Sequence, residues 1–338
     1  MGGKYLAEFL EKNNYIEQLD IGETDQDIES LVYIAAILQS PNITLRSIDL
    51  SKPLLIFSQP HAAEILGKML YVNVHLRELV LRKCGLGDHD MELLSMGLHK
   101  FANETFTIPK LESFAQEETS SSYTEVIVLT EEEEADFENK GDDWSQDERN
   151  ETKFESSLEE NSTDLNTCNP LKRVIAKDGL VSHLLHLDLS CNNISDDTID
   201  YLRLYLLSGP PLLSLNFSHN VLHDVGVIEL SKCIPSTKLE ALDISHNQVG
   251  HDGIRSITFL LKRSSPLQKI YIWGNQLNEE ICQVLHESII DGTILQENID
   301  VVLYEVDEKF FAAYNNRVEN HHIKYYCVPQ CPLFAKCL

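Results

Sequence analysis

Apolar residues return along this chain in a regular two-part pattern. From Leu184 to Leu277 one motif occurs four times: leucine-x-x-leucine-x-leucine-x-x-asparagine-x-leucine, with Ile, Phe or Val replacing some leucines. Leu184, Leu187, Leu189, Asn192 and Ile194 form the first copy, and Leu212, Leu215, Phe217, Asn220 and Leu222 the second. Leu239, Leu242, Ile244, Asn247 and Val249 follow, then Leu267, Ile270, Ile272, Asn275 and Leu277. The copies begin 28, 27 and 28 residues apart. Alternation, as in Leu187-Asp188-Leu189, predicts a short strand with its leucines on one face. One such strand cannot bury that face alone, so parallel neighbours must stack over a continuous core. Between copies the spacing becomes helical: Ile199, Leu202 and Leu206 share a face, and Ile254, Ile257 and Leu260 continue the series. The asparagines fall where the chain leaves each strand. A buried amide there can bond the unpaired backbone of the turns beside it. Asp197, Asp224 and Asp252 precede the helical runs and are expected to accept N–H bonds at those helix N-termini.

The same alternation of strand and helix, less regular, runs through the N-terminal part. An amphipathic helix over Tyr5 to Asn13 precedes Ile16, Leu19 and Ile21, which open a degenerate repeat with its helix near Asp27 to Gln39. Leu45, Ile48 and Leu50 open the next, with a helix near Ala62 to Tyr71. Leu76, Leu79, Leu81, Cys84 and Leu86 open a third, with a helix near His89 to Phe101. Cys84 takes the asparagine position there. After the last repeat a helix is predicted over Glu279 to Ile290. Val301 to Val306 and Phe310 to Tyr314 then read as a β-hairpin turning at Asp307-Glu308-Lys309 and closing the end of the core.

A strand and a full helix in 27 to 29 residues resemble the ribonuclease-inhibitor-like leucine-rich repeat family. The resemblance implies an α/β solenoid, a horseshoe with parallel strands on the concave side and helices on the convex side. Four regions follow: N-terminal repeats at 1–102, an acidic insert at 103–178, C-terminal repeats at 179–292, and a hairpin cap with a tail at 293–338.

The insert differs in composition from the repeats. From Glu112 to Asp164 there are 19 Asp and Glu residues against Lys140, Arg149 and Lys153. High net charge with few apolar residues cannot offset the entropy of ordering, so disorder is expected. Loop-closure entropy grows slowly with length, so a long insertion at a junction between repeats is tolerated. Within it, Val126, Ile127, Val128 and Leu129 precede Glu131 to Glu134 and resemble a SUMO-interacting motif. Such a peptide adds a strand to a sheet edge while its acids meet a basic rim. Ser122, Thr130, Ser145, Thr152, Ser156 and Ser157 each have an acid three residues on, as acid-directed kinases require.

Charge and cysteine usage limit the chemistry. A net charge of −27 argues against sequence-independent nucleic-acid binding and points to basic protein partners. No apolar run is long enough for a transmembrane helix, and the first residues lack a signal-peptide core. Leu6 stands where a myristoylation signal needs Ser or Thr. The eight cysteines are therefore read as reduced thiols. Cys327 and Cys331 lie near His321 and His322 but lack a second well-spaced pair for zinc, so neither metal nor cofactor is expected.

Candidate contact residues are the alternating positions that escape the core. One row reads Asp20, Asp49, Val80, Asp188, Asn216, Asp243 and Tyr271; the next reads Gly22, Ser51, Arg82, Ser190, Ser218, Ser245 and Trp273. The expectation is an acidic-to-polar concave stripe ending in two exposed aromatics, with Asp49, Arg82, Asp188, Asn216, Asp243, Tyr271 and Trp273 meeting a protein partner. Tyr and Trp are frequent hot spots. No Ser-His-Asp spacing, phosphate-cradling glycine loop or metal motif suggests catalysis. The reading is a monomeric, non-enzymatic scaffold. Asn42 to Ser51, Leu187 to Asn192 and Ile270 to Asn275, together with the Asp300 to Tyr314 hairpin, narrow the resemblance to a nuclear and nucleolar type within the family. They imply nucleolar partners, cytoplasmic and nuclear residence, and a link to ribosome biogenesis. The alternative is a GTPase activator of the Ran type, for which Arg46 and Arg82 are the candidate arginines.

Overall fold

The computed structural model describes residues 2–24, 26–39, 44–53, 61–99, 182–261 and 266–315. The chain divides into a unit of residues 1–108 with 170–338 and a second of residues 109–169. The second, with Val126 to Leu129, lies outside the described residues. In the first unit, seven three-residue strands form one parallel sheet in chain order. They are β1 Gln18–Asp20, β2 Ser47–Asp49, β3 Glu78–Val80, β4 His186–Asp188, β5 Ser214–Asn216, β6 Ala241–Asp243 and β7 Lys269–Tyr271. Leu19, Ile48, Leu79, Leu187, Leu215, Leu242 and Ile270 pair in register across all seven. The β3–β4 pairing spans residues 103–178 without a shift, Leu79 opposite Leu187.

Helices alternate with the strands: α1 Gly2–Lys12, α2 Ile28–Leu38, α3 Ala62–Val72, α4 Asp88–His99, α5 Asp197–Leu207, α6 Asp224–Cys233, α7 His251–Leu261 and α8 Glu279–Ile290. The core lies between helices and sheet, where the motif leucines are almost wholly buried. Asp27 caps α2 by accepting from Ser30 N–H at 2.8 Å, and Asn278 caps α8 by accepting from Ile281 N–H at 2.9 Å. Helices α3 and α4 meet through backbone: a Cβ on Gly97 would stand 2.0 Å from the Gly67 carbonyl oxygen.

The asparagines tie rung to rung. Asn247 Nδ2 donates to Phe217 O in the preceding rung and Ile244 O in its own, and its Oδ1 accepts from Leu222 N–H. Asn192, Asn220 and Asn275 bond in the same way. Cys84 replaces the amide with a weak donor, its Sγ 3.6 Å from Leu50 O. Burial holds its thiol well above the ordinary cysteine range.

The acids at the helix starts correct the sequence reading. Asp224 was expected to cap its own helix. Its Oδ1 instead accepts from Gly250 and Gly253 N–H, one rung on, at 2.7 and 2.9 Å. Asp88 likewise accepts from Ser195 N–H and Thr198 Oγ1 at 2.9 and 2.6 Å. Asp197 and Asp252 lie inside the first turns of α5 and α7. Stacking brings the next rung's loop amides as near as the helix's own, so the carboxylates join rungs.

The array ends in a vestigial rung. Ile299 forms a parallel bridge with Ile270, 29 residues earlier, and is fully buried. The chain then turns into an antiparallel hairpin of β8 Val301–Val306 and β9 Lys309–Tyr314. Asp307 and Glu308 form its turn, both at positive φ, as a two-residue hairpin loop requires.

Candidate functional site: the open face of the sheet

Three rows of residues follow the core positions on the side away from the helices. The first is the last residue of each strand. Asp49, Asp188, Asn216, Asp243 and Tyr271 are only 3% to 7% exposed. The expected exposed acidic stripe is therefore reduced to Asp20 at its start, and Tyr271 is not an exposed aromatic. The cause is local. Adjacent strands lie about 4.8 Å apart, so side chains on this face crowd their neighbours. Each strand also leaves one backbone donor without a partner. In β2 the N–H of Leu50 donates to Val80 O, and that of Lys52 donates to Arg82 O, both in the next rung. The N–H between them, on Ser51, has no acceptor there and bonds Asp49 Oδ1 at 2.8 Å. Asp20, Asp188, Asn216 and Asp243 do the same for Gly22, Ser190, Ser218 and Ser245. Burial, followed by the like charges of Asp20 and Asp188, pushes the Asp49 carboxyl up.

Strand β7 has no following strand and carries Tyr271 in place of an acid. Asp300 fills both roles. One carboxylate oxygen accepts from Ile272 N–H at 2.8 Å, and both lie 3.2 Å from Trp273 N. Asp300 is 3% exposed, and burial pushes its carboxyl up to about 7 against the pull of those N–H bonds, with Asp243 adding to the rise. The sequence reading passed over it. The signal was present, because Asp300 falls 29 residues after Tyr271, one more step of the row.

The second row supplies accessible groups at its two outliers, Arg82 and Trp273, both half-buried; Ser51, Ser190, Ser218 and Ser245 are buried. Trp273 lies 6.1 Å from Tyr314 of β9, ring centre to ring centre, at 51°. Tyr314 thus joins the site from outside the repeats, a contribution the repeat motif does not encode. The third row, Glu23, Lys52, Lys83, Cys191, His219, His246 and Gly274, has positive φ in every rung. All but Cys191 are exposed there, and Cys191 is half-buried. His219 and His246 stack with ring centres 4.1 Å apart and 7° between planes. Burial lowers the His219 pKa, and His246, Arg82 and Lys83 add to the fall. From Lys52 to Trp273 the reachable chemistry of these rows is thus basic and aromatic, with the first-row acids turned inward, whereas Asp20 and Glu23 at the N-terminal end are exposed. Among the described residues no cluster of His, Cys, Asp and Glu could hold a metal ion, and no helix is long and apolar enough to cross a membrane.

A family model described as Leucine Rich repeat matches residues 72–95, 182–199, 210–231 and 236–257, four of the rungs seen in the sheet. Those four stretches of the chain are leucine-rich repeats. This repeat protein is similar to Leucine-rich repeat-containing protein 34 of Mus musculus, 27% identical over 153 residues, which cover 44% of this chain and 36% of the relative. The protein of the same name from Rattus norvegicus is 26% identical over 151 residues, with the same coverage. RAN GTPase-activating protein 2 of Arabidopsis thaliana is 26% identical over 103 residues, covering 30% of this chain and 19% of that protein. The match thus spans about a third of the length of the first two relatives.

Proposed function

We propose that this repeat protein is a non-enzymatic scaffold whose open sheet face grips a protein partner between Arg82 and Trp273. The observation that carries the reading is the half-buried Trp273 against Tyr314 at the end of a face whose other accessible side chains include Lys52, Arg82, Lys83, His219 and His246, with the exposed acids Asp20 and Glu23 at its far end. An amphipathic aromatic flanked by cations is the composition of a binding hot spot. Asp49, Asp188, Asn216 and Asp243 support the contact from beneath by fixing the backbone, and Tyr271 lies buried in the same row. Attraction of basic partners, nucleolar proteins among them, is assigned to the acids of residues 112–164 and is a separate contact. Residence in cytoplasm and nucleus, with a nucleolar role, rests on the family resemblance. A pull-down comparing the chain with its Trp273→Ala, Arg82→Ala double variant tests the face, and retention of every partner would reject it. SUMO capture through Val126, Ile127, Val128 and Leu129 is tested by changing all four to alanine; unchanged retention on SUMO beads would end that part.

The likeness to RAN GTPase-activating protein 2 favours one second reading, stimulation of a GTPase. Such a site needs an arginine that reaches the bound nucleotide. Arg46 donates to His75 O at 3.2 Å, and Arg82, half-buried on the open face, is the other candidate. GTP hydrolysis by Ran, measured with and without the chain, separates the readings: no acceleration rejects this one.

A further inference from the structure

On the helix side, a ladder of carboxylates joins the rungs from Asp88 to Asp224 and stops at the rung that follows. Four residues after the rung asparagine, or its Cys84 replacement, stand Asp88, Asp196 and Asp224, and each accepts from the next rung's loop. In the following rung that position is His251. Six residues after the asparagine stand Gly226 and Gly253, where a Cβ would come within 2.4 and 2.7 Å of the preceding rung's aspartate oxygen. In the last rung that position is Ile281. With neither the acceptor nor the glycine that lets the rungs close, a groove of about 490 Å³ opens between α7 and α8. Phe259 and Val284 stand exposed along it, beside Arg255, Glu280 and Glu287. His251 Nδ1 is buried there without a hydrogen-bond partner; Glu280 Oε2, 3.9 Å away, is too far to bond. An apolar floor, two carboxylates on the α8 wall and an unsatisfied buried imidazole nitrogen describe a seat for a peptide with apolar and cationic side chains.

We propose that the occupant is residues 316–338 of this same chain, with their aromatic side chains against Phe259 and Val284 and their cations against Glu280 and Glu287. That segment lies outside the described residues, and three observations select it. It departs from the correct side: β9 packs on α8, with Phe310 4.3 Å from His286, and Asn315 donates to Asp300 O at the hairpin base. It is long enough. A helix is about 10 Å across and an extended residue spans about 3.3 Å, so about six residues cross α8 and the remainder can line the groove. Its chemistry matches. In a chain of net charge −27 it carries Arg317, Lys324 and Lys336 against Glu319 alone, with Ile323, Tyr325, Tyr326, Leu333 and Phe334. This apolar, cationic composition is the opposite of that which keeps a segment solvated.

The test uses the purified full chain with the photo-crosslinker p-benzoylphenylalanine in place of Gln283, an exposed groove residue. Irradiation should give a crosslink within one molecule that maps to residues 316–338. Glu280 and Glu287 are exposed, so a Glu280→Lys, Glu287→Lys variant keeps the fold, as an unchanged unfolding midpoint will show. Its crosslink yield should fall about tenfold, the effect of turning two rim attractions into repulsions. Adding Arg317→Glu and Lys324→Glu should restore the yield. A crosslink joining two copies, one mapping outside 316–338, or a yield indifferent to charge reversal overturns the proposal.

Discussion

Asp300 should set the stability of the last rung, and its removal can be worked through in two parts. In Asp300→Ala the N–H groups of Ile272 and Trp273 lose their acceptor. An unsatisfied buried donor costs about 1–3 kcal/mol, so the loss should be about 2–5 kcal/mol. Asp300→Asn keeps an oxygen for Ile272 but removes the charge, which isolates the pH dependence. The native carboxyl lies near 7, above its ordinary 3.8. The folded state therefore holds the proton more tightly than the unfolded state. Stability from this group is fully present below about pH 4 and is lost as pH rises toward 7, by up to about 1.4 kcal/mol per pH unit. Asp27, Glu64 and Asp88 have lowered pKa values and push the other way, so the informative quantity is the wild type minus the Asn variant. Urea unfolding from pH 4 to 8 gives that difference, and native-state hydrogen exchange at β7 reports the rung directly. A flat difference curve, or one that rises with pH, would refute the claim that burial outweighs the three N–H contacts.

Three further outcomes rest on the stacking. Asn247→Ala strands the Leu222 N–H, while Phe217 O and Ile244 O keep the Nδ2 groups of Asn220 and Asn275, and it should cost about 1–3 kcal/mol in urea unfolding, more than an exposed Asn193→Ala control. Gly97→Ala places a methyl against the Gly67 carbonyl and should lower stability by about 1–3 kcal/mol; an unchanged midpoint would show that α3 and α4 part freely. Lys52→Ala removes an exposed pair with Glu23 and should change stability by less than about 1 kcal/mol, so a larger loss would contradict the surface reading.

The parts legible in the sequence were those whose cause is local. Apolar alternation placed all seven strands, Asp27 and Gln39 bounded α2, and α8 runs from Glu279 to Ile290 as the spacing indicates. Asn192, Asn220, Asn247 and Asn275 were legible because each repeats a fixed offset from its strand. What escaped depended on contacts between rungs. Alternation told which side of the sheet Asp188 and Tyr271 take, but not that neighbours a strand-width away would bury them. Asp224 sits at a helix start like any capping residue, and only the adjoining loop shows where its bonds go. Tyr314 and Trp273 are joined by a hairpin whose path no repeat motif specifies.

Each strand passes its spare amides to its successor, so an interior unit is interchangeable with its neighbours, whereas the final one needs a substitute acceptor. That makes array length a modular trait. Gain or loss of one 28-residue stretch upstream of Ile299 would preserve the strand-to-strand bonding, provided the terminating carboxylate travels with the end. The molecule can thus change the reach of its open sheet face in whole steps without reinventing how it stops.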